Sequence, residues 1–390
     1  MNWLSGLRSH PLPFALGLLG CVASIVLWLC STGTNDIRSW EAFATEISRA
    51  GLFDLYGTNK LFNHPPLMGW LAWLSHGLAS GLGLPFAIVF KLFPMVAHLA
   101  TAVVLWSWWK DRGDPRRAAW AFALYSLAAS SILVAAFHGN TDTICAFLCL
   151  LCLYFLEVRK KPLAAGLILA AAINVKIIPV LLVCPAIAGF RNGRDVRAFL
   201  FGLAAAAVPF LIGIVGGGSA FLTNVFAYGS SPEPWGVQVL LLPIPALPGL
   251  TMDDYRWLAA SYYAHGKYLL IAAVLVLSVY GYRRRLDHAH LMAATFALFL
   301  LLAPGFGVQY VAYLPPLMFA VSLVQGTKFA LVSGAFLGLL YAHWSIGAWP
   351  LESIYTSIRI EIAIVGFWAW LLLPRFLVTC LSPRTGAGEA

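Results

Sequence analysis

Four carboxylates and a histidine fall within Asn35–Pro66: Asp36, Glu41, Glu46, Asp54 and His64, so four of the chain's 16 acidic residues share one stretch. Carboxylates and imidazoles are the groups that most often take up and release protons at a reacting centre. Three further polar elements stand among apolar residues: Asp142 within Thr141-Asp142-Thr143, Lys176 within Asn174-Val175-Lys176-Ile177, and Gln309-Tyr310 after Pro304-Gly305. An ionisable group in apolar surroundings is costly and usually functional. Each residue also has a plainer reading. Asp36 and Asp142 suit helix caps, and Asp36 could equally be a solvated loop charge. Lys176 can snorkel to an interface. His64 before Pro65-Pro66 suits a rigid turn, and Tyr310 suits an aromatic belt.

The elements that must position these groups are membrane helices. Of 390 residues 61% are hydrophobic and 11% charged, with a mean hydropathy of +0.81. A soluble domain carries roughly 25% charged residues, so this chain has too little polar surface to cover a globule. Apolar runs near the ~20 residues of a bilayer crossing recur over Leu12–Cys30, Phe86–Trp109, Ala118–Phe137 and Thr143–Val158. They continue over Ala198–Val215, Tyr268–Tyr282, Leu291–Pro304, Val311–Val324, Phe329–Trp349 and Ile358–Pro374. With a broken pair in Pro162–Phe190, the reading is one all-α polytopic domain over 1–390 with about twelve transmembrane helices. Met1–His10 leads straight into an apolar run, which reads as a retained anchor. Cys145, Cys149 and Cys152 recur at helical intervals and read as core packing.

The net charge of +9 is a topology signal rather than a nucleic-acid signal. Seventeen of the 25 Lys and Arg lie in Lys110–Arg117, Arg159–Lys161, Arg191–Arg197 and Arg283–Arg285, or at Arg8, Lys328, Arg375 and Arg384. Basic loops stay cytoplasmic, so both termini are expected inside and the loops 31–84 and 216–267 outside. Two consequences follow. Residues 67–84 cannot cross, or Lys110–Arg117 would be outside, so they lie at the outer interface or dip in and return. Pro162–Phe190 has basic flanks on both sides, so it must rise and return, breaking near Asn174, Lys176 and Pro179. A broken backbone at depth is tolerated where it lines a cavity, which directs Lys176 into one. Ile37, Trp40, Ala44, Ile47 and Ala50 share a helical face, giving an amphipathic helix flat on the membrane with Gly51 as its stop. The loop 216–267 is long enough to cover a pocket. Asp253-Asp254 lacks a third ligand, and neither a metal nor a cofactor is expected.

The pattern D-x-x-x-W-x-x-x-A…G-x-x-x-x-Y…N-H-P-P-L resembles the first external loop of the GT-C superfamily, integral-membrane glycosyltransferases that use polyprenyl-phosphate sugars. HGNTDT (His138–Thr143), AAGLILAAAINVKIIPVLL (Ala164–Leu182), YGSSPEPWGVQVLL (Tyr228–Leu241) and APGFGVQYVAYLPPL (Ala303–Leu317) extend the resemblance in family order, toward a bacterial, mannosyltransferase-like branch. The resemblance implies a catalytic Asp in the first loop, which Asp36 matches, with Asp142 as the second acid. Asp36 would be the general base of an inverting transfer to an acceptor hydroxyl, on a glycolipid, a glycan or a protein. Lys176 would stabilise the leaving phosphate, His64 would bind phosphate or assist proton transfer, and Gln309, Tyr310 and Glu41 would contact substrate. The sugar would be a hexose, mannose first, and the location the outer face of a bacterial cytoplasmic membrane. A secondary transporter or lipid-linked-sugar flippase is the competing class, since a broken helix pair with a buried Lys suits one.

Overall fold

Apolar runs punctuated by Pro and Gly become helices, and no strand occurs in the residues that the computed structural model describes, 10–227, 229, 235–344 and 359–382. Helix α1 spans Pro11–Cys30, α2 Asn35–Ala50 and α3 Leu52–Thr58, the last two divided by Gly51 at φ +94°. Then come α4 (Pro66–Leu82), α5 (Phe86–Lys110), α6 (Pro115–Ser126) and α7 (Ala129–Ile132), which runs into a π-helical turn over Leu133–His138. Next are α8 (Asp142–Glu157), α9 (Pro162–Val175), a 3-10 turn over Ile178–Leu182, α10 (Val183–Gly189), α11 (Gly193–Ala205) and α12 (Val208–Phe226). The chain closes with α13 (Val237–Leu241), α14 (Met252–Arg284), α15 (His288–Leu302), a 3-10 turn over Val308–Tyr313, α16 (Leu314–Val321), α17 (Leu323–Trp344) and α18 (Arg359–Leu381). Proline at the first turn of α1, α4, α6 and α9 costs no hydrogen bond and presets the backbone.

Six of these helices are long and apolar enough to cross a bilayer, or seven if the bent pair α6–α7 makes one span. Several others fall short of the ~20 residues required, including α9, α15 and the run Val308–Val321. The expected count of about twelve full spans is therefore not reached among the described residues.

Four single helices expected from hydropathy are built differently. Ala118–Phe137 is bent by 51° between α6 and α7. Ala198–Val215 is two helices, because Pro209 cannot continue α11 and instead sits in the first turn of α12. Val311–Val324 opens as a 3-10 turn before Pro315-Pro316 start α16. Tyr268–Tyr282 is only the apolar end of α14, which begins at Met252 under a capping box of Thr251 and Asp254. Polar side chains in 253–267 hide that first half from any hydropathy window. Much of the loop 216–267 is thus helical, and Pro232 and Pro234 lie outside the described residues. Trp235 stacks on Phe306 at 4.4 Å and donates to Leu300 O.

Two expectations concerning the first loop meet a more specific structure. The apolar face of α2 (Ile37, Trp40, Phe43, Ala44, Ile47) is buried, but against protein rather than lipid. Trp40 packs on Phe90 at 5.1 Å, on Phe62 at 6.2 Å and on His64 at 4.7 Å. Amphipathicity demands an apolar cover without saying which one. Both ends of α4 return to this cluster: His64 precedes it, and Phe86 after it stacks on Phe90 at 5.4 Å.

The two ends of the bundle separate the site from the basic clusters. Helix α5 starts beside the Trp40 cluster and reaches Lys110 about 30 Å beyond Lys91 at 1.5 Å per residue. At that far end Arg191 bonds Leu286 O, and Glu157 accepts from the His288 backbone N–H. The pair α9–α10 runs from this basic end to Lys176 and returns, breaking where Lys176 takes an extended backbone (φ −156°, ψ 147°). Asn174 braces the break by donating to Ala170 O and to Ala206 O.

Candidate active site

Asp36 stands in the first turn of α2, where Thr34 is the N-cap residue. It therefore does not cap the helix. One of its oxygens, Oδ2, accepts from His138 Nε2 at 2.8 Å and from Asn140 Nδ2 at 2.9 Å. Among the described residues no partner falls on Oδ1, and the side chain is 38% exposed. A carboxylate oxygen only accepts, so His138 Nε2 carries a proton. His138 Nδ1 lies 2.8 Å from the Tyr341 hydroxyl. Burial alone would push the Asp36 carboxyl up. The His138 ring with its hydrogen bond, the Lys176 charge and the Asn140 amide outweigh it and hold the carboxyl at about 2.

His138 and Asn140 reach one oxygen because Gly139 between them adopts φ +72°. This left-handed conformation reverses the chain as the π-helical turn ends, and any other L-residue is strained there. A Cβ at Gly139 would also lie 2.8 Å from Lys91 Cδ and 2.9 Å from Ile37 Cδ1. Gly139→Ala is accordingly expected to destabilise the protein by about 1–2 kcal/mol from backbone strain alone. Thermal unfolding in detergent should show a lowered midpoint, and wild-type stability would mean that this turn yields easily.

A second polar group is more deeply buried, with Lys176 at 8% exposure and Asp142 at 0%. Lys176 Nζ bridges both oxygens of Asp142, at 2.8 Å to Oδ1 and 3.0 Å to Oδ2. The Tyr313 hydroxyl donates to Oδ1 at 2.9 Å, and the Lys176 ammonium lies 5.0 Å from the Tyr310 ring centroid. Asp142 is 0% exposed and has both oxygens engaged, so it is built to hold Lys176 rather than to receive a substrate proton. Its backbone N–H is held by Asn140 Oδ1 at 3.0 Å, so Asn140 connects the two carboxylates. A buried ammonium is tolerated only with such a counter-ion. Asp142 pairs both its oxygens, leaving at least one of the three ammonium N–H groups for another acceptor.

The other sequence candidates divide. His64 joins the site through Nδ1, which donates to Val175 O at 3.3 Å, one residue before Lys176. Burial, aided by the Lys176 charge, lowers its pKa to about 3, so the ring is neutral near pH 7 and does not serve as a cation for phosphate. Tyr310 lies beneath Lys176. Gln309 is half-buried beside Gly307 and makes no hydrogen bond among the described residues. Glu41 is not brought in: it lies on the exposed face of α2 beside Arg38, Thr45 and Arg49. Five positions at α2 residue spacing separate it from Asp36, which turns it to another side of the helix.

Four participants escaped the sequence reading as individuals: His138, Asn140, Tyr313 and Tyr341. The first two stand in the HGNTDT segment, where flanking an acidic residue by His and Asn was a usable signal. Tyr313 and Tyr341 come from 171 and 203 residues further along the chain than their partners, and nothing local marks them. Among the described residues no three His, Cys, Asp or Glu converge as a metal set. Asp254 closes the cap of α14, and Asp253 pairs with Arg256.

The arrangement therefore presents an ionised, partly open carboxylate beside an enclosed ammonium, at the end of the bundle opposite the basic clusters. It can take a proton from a hydroxyl and stabilise an anion nearby. The family model of glycosyltransferase family 87 matches residues 62–304, more than half of the chain. That range holds His64, His138, Asn140, Asp142 and Lys176, whereas Asp36, Tyr310, Tyr313 and Tyr341 fall outside it. No curated protein matches the chain.

Proposed function

The chain belongs to glycosyltransferase family 87, and from that premise we propose an inverting transfer of a sugar from a polyprenyl phosphate to an acceptor hydroxyl. The transfer takes place on the outer face of a bacterial cytoplasmic membrane. The observation that carries the reading is the Asp36 carboxylate, with Oδ2 fixed by His138 and Asn140 and Oδ1 left for an incoming group. Nucleotide sugars are absent outside the cell, so the sugar must arrive already activated on a lipid, and phosphate is a good leaving group.

In this mechanism Oδ1 accepts the proton of the acceptor hydroxyl while its oxygen bonds to the anomeric carbon. The bond from that carbon to the phosphate oxygen breaks, and the electron pair leaves with the polyprenyl phosphate. In-line displacement inverts the anomeric centre. Lys176, held by Asp142, offers its remaining N–H to the leaving oxygen. Neutral His64 braces the Lys176 turn from the loop side and offers Nε2 as an acceptor to a sugar hydroxyl. Tyr310 and Gln309 complete the wall of the sugar site. Asp142 serves as the counter-ion of Lys176, and Glu41 has no catalytic part. A hexose, mannose first, is the preferred sugar on the resemblance of the sequence motifs.

Purified protein given a panel of polyprenyl-phosphate sugars, with extracted membrane glycolipids as acceptors and EDTA present, should transfer one sugar with inverted configuration. Failure with every donor, together with solute movement in sealed vesicles, would replace this reading with a transporter.

A further inference from the structure

Lys91 is the other lysine enclosed at this end of the bundle, and among the described residues it has no carboxylate partner. It stands on α5 with 0% exposure. Its three N–H groups are shared among four oxygens: Trp28 O at 2.9 Å, Ser31 O at 2.6 Å, Ser31 Oγ at 2.7 Å and Ala136 O at 3.1 Å. Trp28 and Ser31 close α1 just ahead of the turn into α2, and Ala136 lies two residues before His138. Ser31 Oγ donates to Ala136 O as well, at 3.2 Å. The last carbonyls of a helix lack partners within it, and each helix C-terminus carries roughly half a negative charge. Two such ends converge here and together offset one ammonium. That explains how Lys91 is buried without an acidic partner.

The position has a consequence for chemistry. One of the joined ends leads directly to Asp36, and the other leads to His138. The aliphatic stem of Lys91 also lies against Gly139, the residue that turns Asn140 toward the same carboxylate. We propose that Lys91 is a positioning residue, whose ammonium clamps the ends of α1 and the π-helical turn so that His138 and Asn140 meet Asp36 Oδ2. The proposal rests on Asp36 being the base. Lys91 touches no substrate, and its effect passes through the orientation of Asp36.

The test compares wild type with Lys91→Ala and Lys91→Met. Misplacing a catalytic group by about 1 Å can cost ~100-fold in rate, so kcat should fall ~10- to 100-fold while the KM for the lipid donor stays within about threefold. Methylammonium added to Lys91→Ala should restore part of the lost kcat, because the four oxygens still offer an ammonium site, whereas tetramethylammonium, which has no N–H, should not. A second readout does not depend on turnover. In 15N-histidine-labelled protein, with the His138 signals assigned by their loss in His138→Asn, the Nε2 resonance should move in Lys91→Met as the bond to Asp36 loosens. If Lys91→Ala does not fold, Ser31→Ala removes one acceptor and should shift the same resonance by a smaller amount. An unchanged His138 resonance in the folded variants overturns the proposal, as does wild-type kcat in Lys91→Met. If wild type itself transfers no sugar, the glycosyl reading fails separately, and the His138 resonance still decides the role of Lys91.

Discussion

Asp36→Asn should lower sugar transfer by ~10²- to 10⁴-fold, the range lost with a general base, while the protein keeps its fold. Asparagine preserves the size of the side chain and an oxygen for His138 and Asn140 to hold. What it removes is the basic oxygen that the proposed mechanism sets against the acceptor hydroxyl. The environment also sets a pH dependence. Despite its burial, Asp36 is held at about 2 by His138, Lys176 and Asn140, so it is ionised across the neutral range. A group with a depressed folded pKa stabilises the fold above its unfolded value, near 4, and that stabilisation disappears as pH falls toward 2. The kcat profile should accordingly show no acid limb from Asp36 above about pH 4, and an acid limb centred near pH 6 in wild type would mean that another group is the base. So acidic a carboxylate is a weak base. Proton transfer must therefore come late, after the acceptor oxygen has begun to bond to the anomeric carbon and its hydroxyl has become acidic. Full transfer by Asp36→Asn would remove Asp36 from the mechanism.

The second large effect concerns Lys176 and Asp142. Removing one member of a buried ion pair leaves the other uncompensated and costs about 3–5 kcal/mol. Lys176→Met should therefore destabilise strongly, since Asp142 is 0% exposed and among the described residues would keep only the Tyr313 hydroxyl. Asp142→Asn should do likewise by leaving the ammonium without a carboxylate. The double variant removes both charges together and should regain most of the lost stability. Transfer should not return with it, because the leaving phosphate of the proposed mechanism has then lost its cation. Thermal unfolding and transfer rates of the three variants separate the two roles. A stable double variant with wild-type turnover would show that Lys176 is structural only.

The chain's class was decided by composition, because 11% charged residues cannot clothe a globule of 390 residues. The break at Lys176 was also legible: basic flanks on both sides of a short apolar stretch, with Pro179 inside it, force a return. Gly51 announced the end of α2 through the φ +94° that it supplies. These features follow from local chemistry, where burial, charge and backbone freedom act on neighbouring residues.

The site itself was legible only in part. Asp36, Asp142, Lys176, His64 and Tyr310 were marked as candidates by type and setting, but nothing local paired Asp142 with Lys176 or set both apart from Asp36. Those pairings join residues 34 and 102 positions apart, and packing alone decides them. Glu41 shows the converse. It lies in the same acidic stretch as Asp36, yet one helix sends the two side chains to different faces. Lys91 was invisible within an apolar helix, because three of its four partners are backbone carbonyls, which carry no side-chain signature, and the fourth is the Ser31 hydroxyl 60 residues away. Sequence thus determined a membrane protein with a polar, acid-bearing end. Tertiary structure decided which acid is held open and which is enclosed, because the field and the hydrogen bonds at each carboxylate come from helices that meet only when the bundle packs.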